Sequence, residues 1–176
     1  MFHFNISDDI SSANTLPACF YTDAIIFNQL KDKVFAKSWQ LIGNEDTVKT
    51  ENSVYPFVFV EHFLEEPLVL SKDENGKIYC LSNVCTHRGN VLVNHSQRCK
   101  TITCSYHGKR FALNGDFVSM PECEGMKNFP SEKDNLPNLP LHKWKNFLFT
   151  SLFPGIDFDE LIKPLEDRVG WMPFEK

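Results

Sequence analysis

Two short segments, "CTHRGN" from Cys85 and "CSYHGKRF" from Cys104, each set a histidine close behind a cysteine and follow the pair with a glycine. The spacing is Cys85-x-His87, sixteen residues, then Cys104-x-x-His107. Gly89 and Gly108 allow the backbone to turn tightly around a bound object. The runs "TITC" and "RFALNG" read as strands on either side of the second pair. Both pairs therefore belong on loops projecting from a sheet, each offering one thiolate and one imidazole.

The rest of the chain supports a sheet. From Gln40 onward, β-branched or aromatic runs ("WQLIG", "YPFVFVEHF", "PLVLSKD", "KIYCLSN", "NFLFTSLF") alternate with turn signals such as "DENG", "LNGD" and "FPG". "KDENGKIYCL" and "FALNGDFVSM" read as hairpins with Asn-Gly turns. This pattern predicts a mainly β fold, an antiparallel sandwich or partly open barrel. Before it, "YTDAIIFNQLKDKVFAKSW" predicts one helix, with Ile26, Leu30 and Val34 at helical spacing, Phe27 beside them, and Thr22 or Asp23 as cap. Residues 1–20 read as a polar arm over the surface. The prolines of "PSEKDNLPNLP" predict a loop over 130–140, and the tail predicts a short helix over 157–163, ended by Pro164. We expect an N-terminal arm and helix over 1–40, a sheet domain over 41–155 and a C-terminal segment over 156–176.

A net charge of −5 and scattered lysines and arginines, read as a solvated surface, argue against nucleic acid as a partner. The longest apolar runs are strand-sized, below the roughly 20 residues a membrane-spanning helix needs. The first residues lack the basic start and apolar core of a secretory signal. Six cysteines in such a chain point to metal binding or burial rather than disulfides, and to the cytoplasm.

Three readings of Cys85, His87, Cys104 and His107 stand open at this point. They are four unrelated residues, since free cysteines are commonly small buried hydrophobes. They are a structural zinc site, although such sites join like with like through C-x2-4-C and H-x3-5-H knuckles. Or they hold a [2Fe–2S] centre with two cysteines on one iron and two histidines on the other.

"CTHRGN" followed by "CSYHGKRF" resembles the cluster-binding loops of Rieske proteins, and more narrowly the N-terminal domain of the α subunit of Rieske non-haem iron, ring-hydroxylating oxygenases. "FYTDAIIFNQLKDKVFAKSWQLIGNED", "NGKIYCLSNVCTHRG" and "FALNGDFVSMPE" extend the resemblance over most of residues 20–155. The resemblance implies a Rieske-type antiparallel sandwich or barrel with a small cluster-binding subdomain. It implies a Rieske [2Fe–2S] cluster held by Cys85 and Cys104 on one iron and by His87 and His107 on the other. Arg88, Gly89, Tyr106 and Gly108 would support it, Tyr106 as a shielding ring and Arg88 by pairing with a carboxylate. Ordinary packing and a surface charge are the alternatives for those two. Cys19, Cys80, Cys99 and Cys123 read as buried spectators, His62, His95 and His142 as structural or solvated, and "PECEG" as surface loop.

High-potential members of the family carry a disulfide between the loops, and a serine and a tyrosine beyond the second histidine whose hydroxyls bond the sulfurs. The corresponding positions here are Asn90, Tyr106, Lys109 and Phe111, which implies a low-potential centre. Many ring hydroxylases have tryptophan where this chain has Lys109. Family members continue into a domain whose mononuclear iron is held by two histidines and a carboxylate. After His107 only His142 remains, so we expect this chain to carry electrons without an oxygen-activating site of its own. The resemblance thus implies an oxidoreductase component taking electrons from an NAD(P)H-linked reductase or ferredoxin and passing them to a mononuclear-iron catalytic domain. A free-standing Rieske ferredoxin is the alternative.

Overall fold

The structure, a computed structural model, describes residues 4–174. Two short helices, α1 (Ala18–Thr22) and α2 (Ala24–Leu30), run into a π-helical turn (Lys31–Phe35). Strands β1 (Gln40–Asn44), β2 (Ser53–Phe59), β3 (Glu66–Lys72), β4 (Ile78–Ser82), β5 (Gln97–Arg98), β6 (Ile102–Thr103), β7 (Arg110–Phe111) and β8 (Phe117–Ser119) follow. After a 3-10 turn (Glu132–Asp134) come β9 (Asn138–Leu139), β10 (Leu141–Trp144), β11 (Phe147–Thr150) and helix α3 (Phe158–Val169). All strand pairs are antiparallel.

The strands form three open sheets: β5-β2-β3-β4-β9, β1-β11-β10 and β6-β7-β8. The five-stranded sheet lies between two cores. Side chains alternate across a strand, so Val69 of β3 and Leu81 of β4 join one core with Ile102, Phe111, Leu113 and Leu136. Leu68, Leu70 and Cys80 join the other with Val48, Phe59 and Leu148. β3 is apolar through "PLVL" because it is buried on both faces. Cys85 and Cys104 belong to the first core, so the metal-ligand chemistry sits at the edge of packed structure. The predicted sandwich is present, and none of the sheets closes into a barrel.

The single N-terminal helix is a correction. Asp23 adopts an extended conformation between α1 and α2, and its carboxylate accepts from the amides of Ile25 and Ile26, capping the second helix. The π-helical turn then rotates the apolar stripe, leaving Ile26 buried but Phe27 and Val34 exposed by nearly half. Phe27 and Phe35 instead each meet Phe63 edge-to-face, with centroids 4.8 Å apart.

Both hairpins form, but Asn75 and Asn114 keep negative φ and only Gly76 and Gly115 take the left-handed conformation. The expected loop over 130–140 contains β9, which pairs with β4 at the sheet edge through two residues flanked by Pro137 and Pro140. An edge strand so short needs few donors, so the prolines are tolerated. α3 runs through Pro164 to Val169; Glu166 holds it to the sheet by accepting from Trp144 Nε1 (2.5 Å) and Lys145 Nζ (3.2 Å). No helix among the described residues is long and apolar enough to cross a membrane.

Candidate metal centre

The two Cys/His loops close in the same way despite their different spacing. The Cys85 amide donates to the Asn90 carbonyl (2.8 Å), and the Gly89 amide to the Cys85 carbonyl (3.0 Å). The Cys104 amide donates to the Lys109 carbonyl (2.8 Å), and the Gly108 amide to the Cys104 carbonyl (3.0 Å). Gly89 and Gly108 stand at φ of 69° and 72°, a conformation costly for any side chain. Each loop is thus one tight hairpin, and the histidine falls on its second residue after cysteine in one and its third in the other.

The loops stand face to face. The Cys85 and Cys104 thiols are almost fully buried and close enough to influence each other's ionisation. Burial pushes the Cys85 thiol up, against the amides of His87 and Arg88. Burial pushes Cys104 the same way, but the amides of Tyr106 and His107, the Cys85 thiol and the Asn90 side chain together hold it below its ordinary value. The Asn90 Nδ2 lies 3.7 Å from Cys104 Sγ. The sulfurs are therefore set in a cradle of N–H donors suited to anionic sulfur.

The imidazoles of His87 and His107 meet edge-to-face with centroids 4.8 Å apart. Burial, then the neighbouring His107, Arg88 and Lys109, keeps His87 below its ordinary value, so the neutral, ligating form is favoured. His107 Nδ1 is buried without a hydrogen-bond partner. An orphaned nitrogen of this kind is explained by a ligand the nitrogen would bind. Tyr106, more than half exposed, stacks on the His107 ring at 3.8 Å. Arg88 is exposed and makes no ion pair among the described residues, contrary to expectation.

Among the described residues no group of three or more His, Cys, Asp or Glu is arranged to hold a metal ion. A tetrahedral zinc site needs four donors converging on one point. Two thiols and two imidazoles, each pair closed on itself, instead fit a binuclear cluster that takes two donors per iron.

A cavity of about 550 Å³ beside the imidazoles is walled by Met120, Pro121, Met126 and Phe129. Cys123 also lines it, so "PECEG" borders the site. Cys19 is exposed, Cys80 fully buried and Cys99 half-buried. His142 packs between Trp39 and Phe158, with ring centroids 4.8 Å from each.

Sequence reasoning overlooked three residues at the site. Asn83, buried below the first loop, accepts from the Val93 amide (2.9 Å) and donates to its carbonyl (2.8 Å). Lys109, taken as one of many solvated lysines, is the only buried charged residue among those described. Its partner Asp134, 2.9 Å away, comes from a loop 25 residues on. Only the lysine standing where the family commonly has tryptophan offered a signal.

The solved structure of a quaternary ammonium Rieske monooxygenase, CntA, in its apo form shares this fold with a TM-score of 0.80 and 24% identity, over 90% of this chain and 46% of that one. Naphthalene 1,2-dioxygenase from Rhodococcus sp. shares it at 0.76 and 22%, over 86% and 35%. Among curated proteins, the carnitine monooxygenase oxygenase subunit of Escherichia coli (strain K12) is 32% identical over 152 residues, 86% of this chain and 40% of the relative. The chloroplastic choline monooxygenase of Arabidopsis thaliana is 30% identical over 159 residues, 87% and 37%. The chain spans about two fifths of the length of these curated relatives. The family model described as Rieske [2Fe-2S] domain matches residues 38–130, which include both loops and more than half of the chain. Taken with the paired thiols and paired imidazoles, this match establishes that the chain belongs to the Rieske [2Fe-2S] domain family, whose cofactor is a Rieske-type [2Fe-2S] cluster.

Proposed function

We propose that this chain passes single electrons through a Rieske-type cluster as the electron-entry domain of a non-haem iron oxygenase. Cys85 and Cys104 would hold one iron, His87 and His107 the other. The face-to-face placement of two buried thiols and two imidazoles on loops of identical closure carries this assignment. When bound, the cluster supplies a one-electron couple in which the added electron sits on the imidazole-held iron.

The chain's own residues do the rest. The amides of His87 and Arg88 act on the Cys85 sulfur and those of Tyr106 and His107, with the Asn90 side chain, on the Cys104 sulfur, and each of these N–H groups favours the thiolate that a ligand must supply. Tyr106 keeps the plane of the His107 ring by stacking on it. His87 is exposed, so its outer edge is the route by which an electron leaves for a partner.

One electron enters from an NAD(P)H-linked reductase or ferredoxin, and one leaves to a mononuclear-iron catalytic domain. The names of the curated relatives make a trimethylammonium compound, carnitine or choline, the first substrate to try with the whole oxygenase. The six cysteines are free, which suits the reducing cytoplasm.

The test is iron and acid-labile sulfide content with the absorption and EPR spectra of the reduced protein. Two irons, two sulfides and a midpoint potential below zero are expected. A colourless protein holding only zinc overturns the assignment, and a clearly positive midpoint overturns the low-potential part of it.

A further inference from the structure

Lys109 directly follows the second loop's glycine, yet its side chain is only 2% exposed. Its ammonium lies 2.9 Å from Asp134 Oδ1 and within 5.4–6.0 Å of the ring centroids of Phe111, Phe117 and Phe129. A lysine in so apolar a place costs several kcal/mol unless paired. Asp134 is itself fixed, since its other oxygen accepts from the Ser131 amide (2.9 Å) and hydroxyl (3.1 Å). The Lys109 ammonium, helped by Ser131, holds the Asp134 carboxyl below its ordinary range.

Asp134 also grips the other loop, because its main-chain carbonyl accepts from Thr86 Oγ1 at 2.9 Å. One residue of a third segment thus holds the first loop through Thr86 and the second through Lys109. Lys109 and Asp134 line the same cavity as His87 and His107, and the Lys109 charge reaches the His87 imidazole.

We propose that the buried Lys109–Asp134 pair is a positioning device for the cluster, latching the two ligand loops together and setting the ease of reduction by its fixed charges. This rests on the ligand assignment proposed above. A positive charge near the imidazole-held iron favours the added electron, and a negative charge opposes it. The two charges therefore act with opposite sign on the potential, while both tie the loops.

The test compares Lys109→Met, Lys109→Arg, Asp134→Asn and Thr86→Val in the iron-loaded chain. The readouts are the potential by spectroelectrochemical titration and the rate of cluster loss to a chelator. Lys109→Met should lower the reduced-to-oxidised ratio at fixed potential by about threefold to tenfold, tenfold being about 59 mV for one electron. Asp134→Asn should raise that ratio, and Lys109→Arg should stay within about twofold of the unmodified protein. Thr86→Val should leave the potential unchanged yet lose the cluster several-fold faster, as should Lys109→Met. Equal potentials for Lys109→Met and Lys109→Arg overturn the electrostatic role, even if Asp134→Asn does not fold. Unchanged cluster loss in both Thr86→Val and Lys109→Met overturns the latch. Failure of the ligand assignment shows separately, in the iron and sulfide content of the unmodified protein.

Discussion

Asn83 is the residue whose removal should most damage the first loop without touching a ligand. The hairpin from Cys85 to Asn90 is closed at its base by three successive rungs. These are the Cys85–Asn90 hydrogen bond, the Val84–Val91 bridge, and Asn83 with Leu92 and Val93. Asn83 is 3% exposed and Val93 2%. Asn83→Ala therefore leaves the Val93 amide and carbonyl buried with their side-chain partner gone. Each such group costs about 1–3 kcal/mol, so the pair predicts a loss of about 2–6 kcal/mol. That is a large share of the 5–15 kcal/mol typical of a domain. Asn83→Asp should not rescue it, because the carboxylate keeps the acceptor but faces the Val93 carbonyl with a negative charge. Urea denaturation of the metal-free chain, followed by tryptophan fluorescence, measures the loss. Asn75→Ala, an exposed turn position, is the control and should stay within about 0.5 kcal/mol. A loss below about 1 kcal/mol for Asn83→Ala, or one matching the control, would refute the reasoning.

Other perturbations follow from single contacts. Asn90→Ala removes an N–H donor from Cys104 Sγ. The cluster should become harder to reduce by about 1 kcal/mol, and an unchanged or higher midpoint would count against that hydrogen bond. Cys80, fully buried, has its thiol pushed up to about 12 by burial, against the Thr150 hydroxyl. It should resist iodoacetamide at pH 8.5 while exposed Cys19 reacts. Because only the unfolded chain ionises Cys80 above its ordinary thiol value, its stability contribution is intact below about pH 8.5. It then falls by up to about 1.4 kcal/mol per pH unit toward pH 12, a slope that should be missing from Cys80→Ala in urea melts between pH 8 and 10.5. Asp157 caps α3 by accepting from the amides of Asp159 (2.9 Å) and Glu160 (3.2 Å). Asp157→Ala should cost about 1 kcal/mol in the same melts, and no measurable loss would mean that α3 is held by Phe158 and Glu166 alone.

The central strands were readable because burial on one or both faces leaves a pattern in the chain itself. β2, β3 and β4 carry runs of branched and aromatic residues bounded by turn residues, and both cores draw on them. The Cys/His loops were readable because their chemistry is local, with a cysteine, a histidine and a glycine within five residues. What escaped depends on partners distant in sequence. β9 is a strand only because β4, more than fifty residues earlier, lies beside it. The N-terminal helix was overextended because periodicity records apolar spacing but not the π-helical turn that rotates the stripe. Lys109 looked solvated because its counter-charge and two of its aromatic rings, Phe117 and Phe129, arrive from later segments.

The identical closure of the two loops explains why Asn90 and Lys109 matter together. Each is the fifth residue after its cysteine, and each gives its carbonyl to that cysteine's amide. Their backbones do one job; their side chains diverge. Asn90 reaches across to the sulfur of the opposite loop, and Lys109 reaches Asp134, which holds Thr86 of the opposite loop. Each loop is thereby strapped to the other from the same station, by a neutral donor on the sulfur side and a charged pair beside the imidazoles. Both straps are polar and act by field as well as by grip. An amide directed at sulfur favours the reduced state, and so does an ammonium near the imidazoles. Since the carboxylate beside that ammonium opposes it, the net push of the pair is smaller than that of a lone cation. The two straps therefore keep the loops together without a disulfide, since all six cysteines are free.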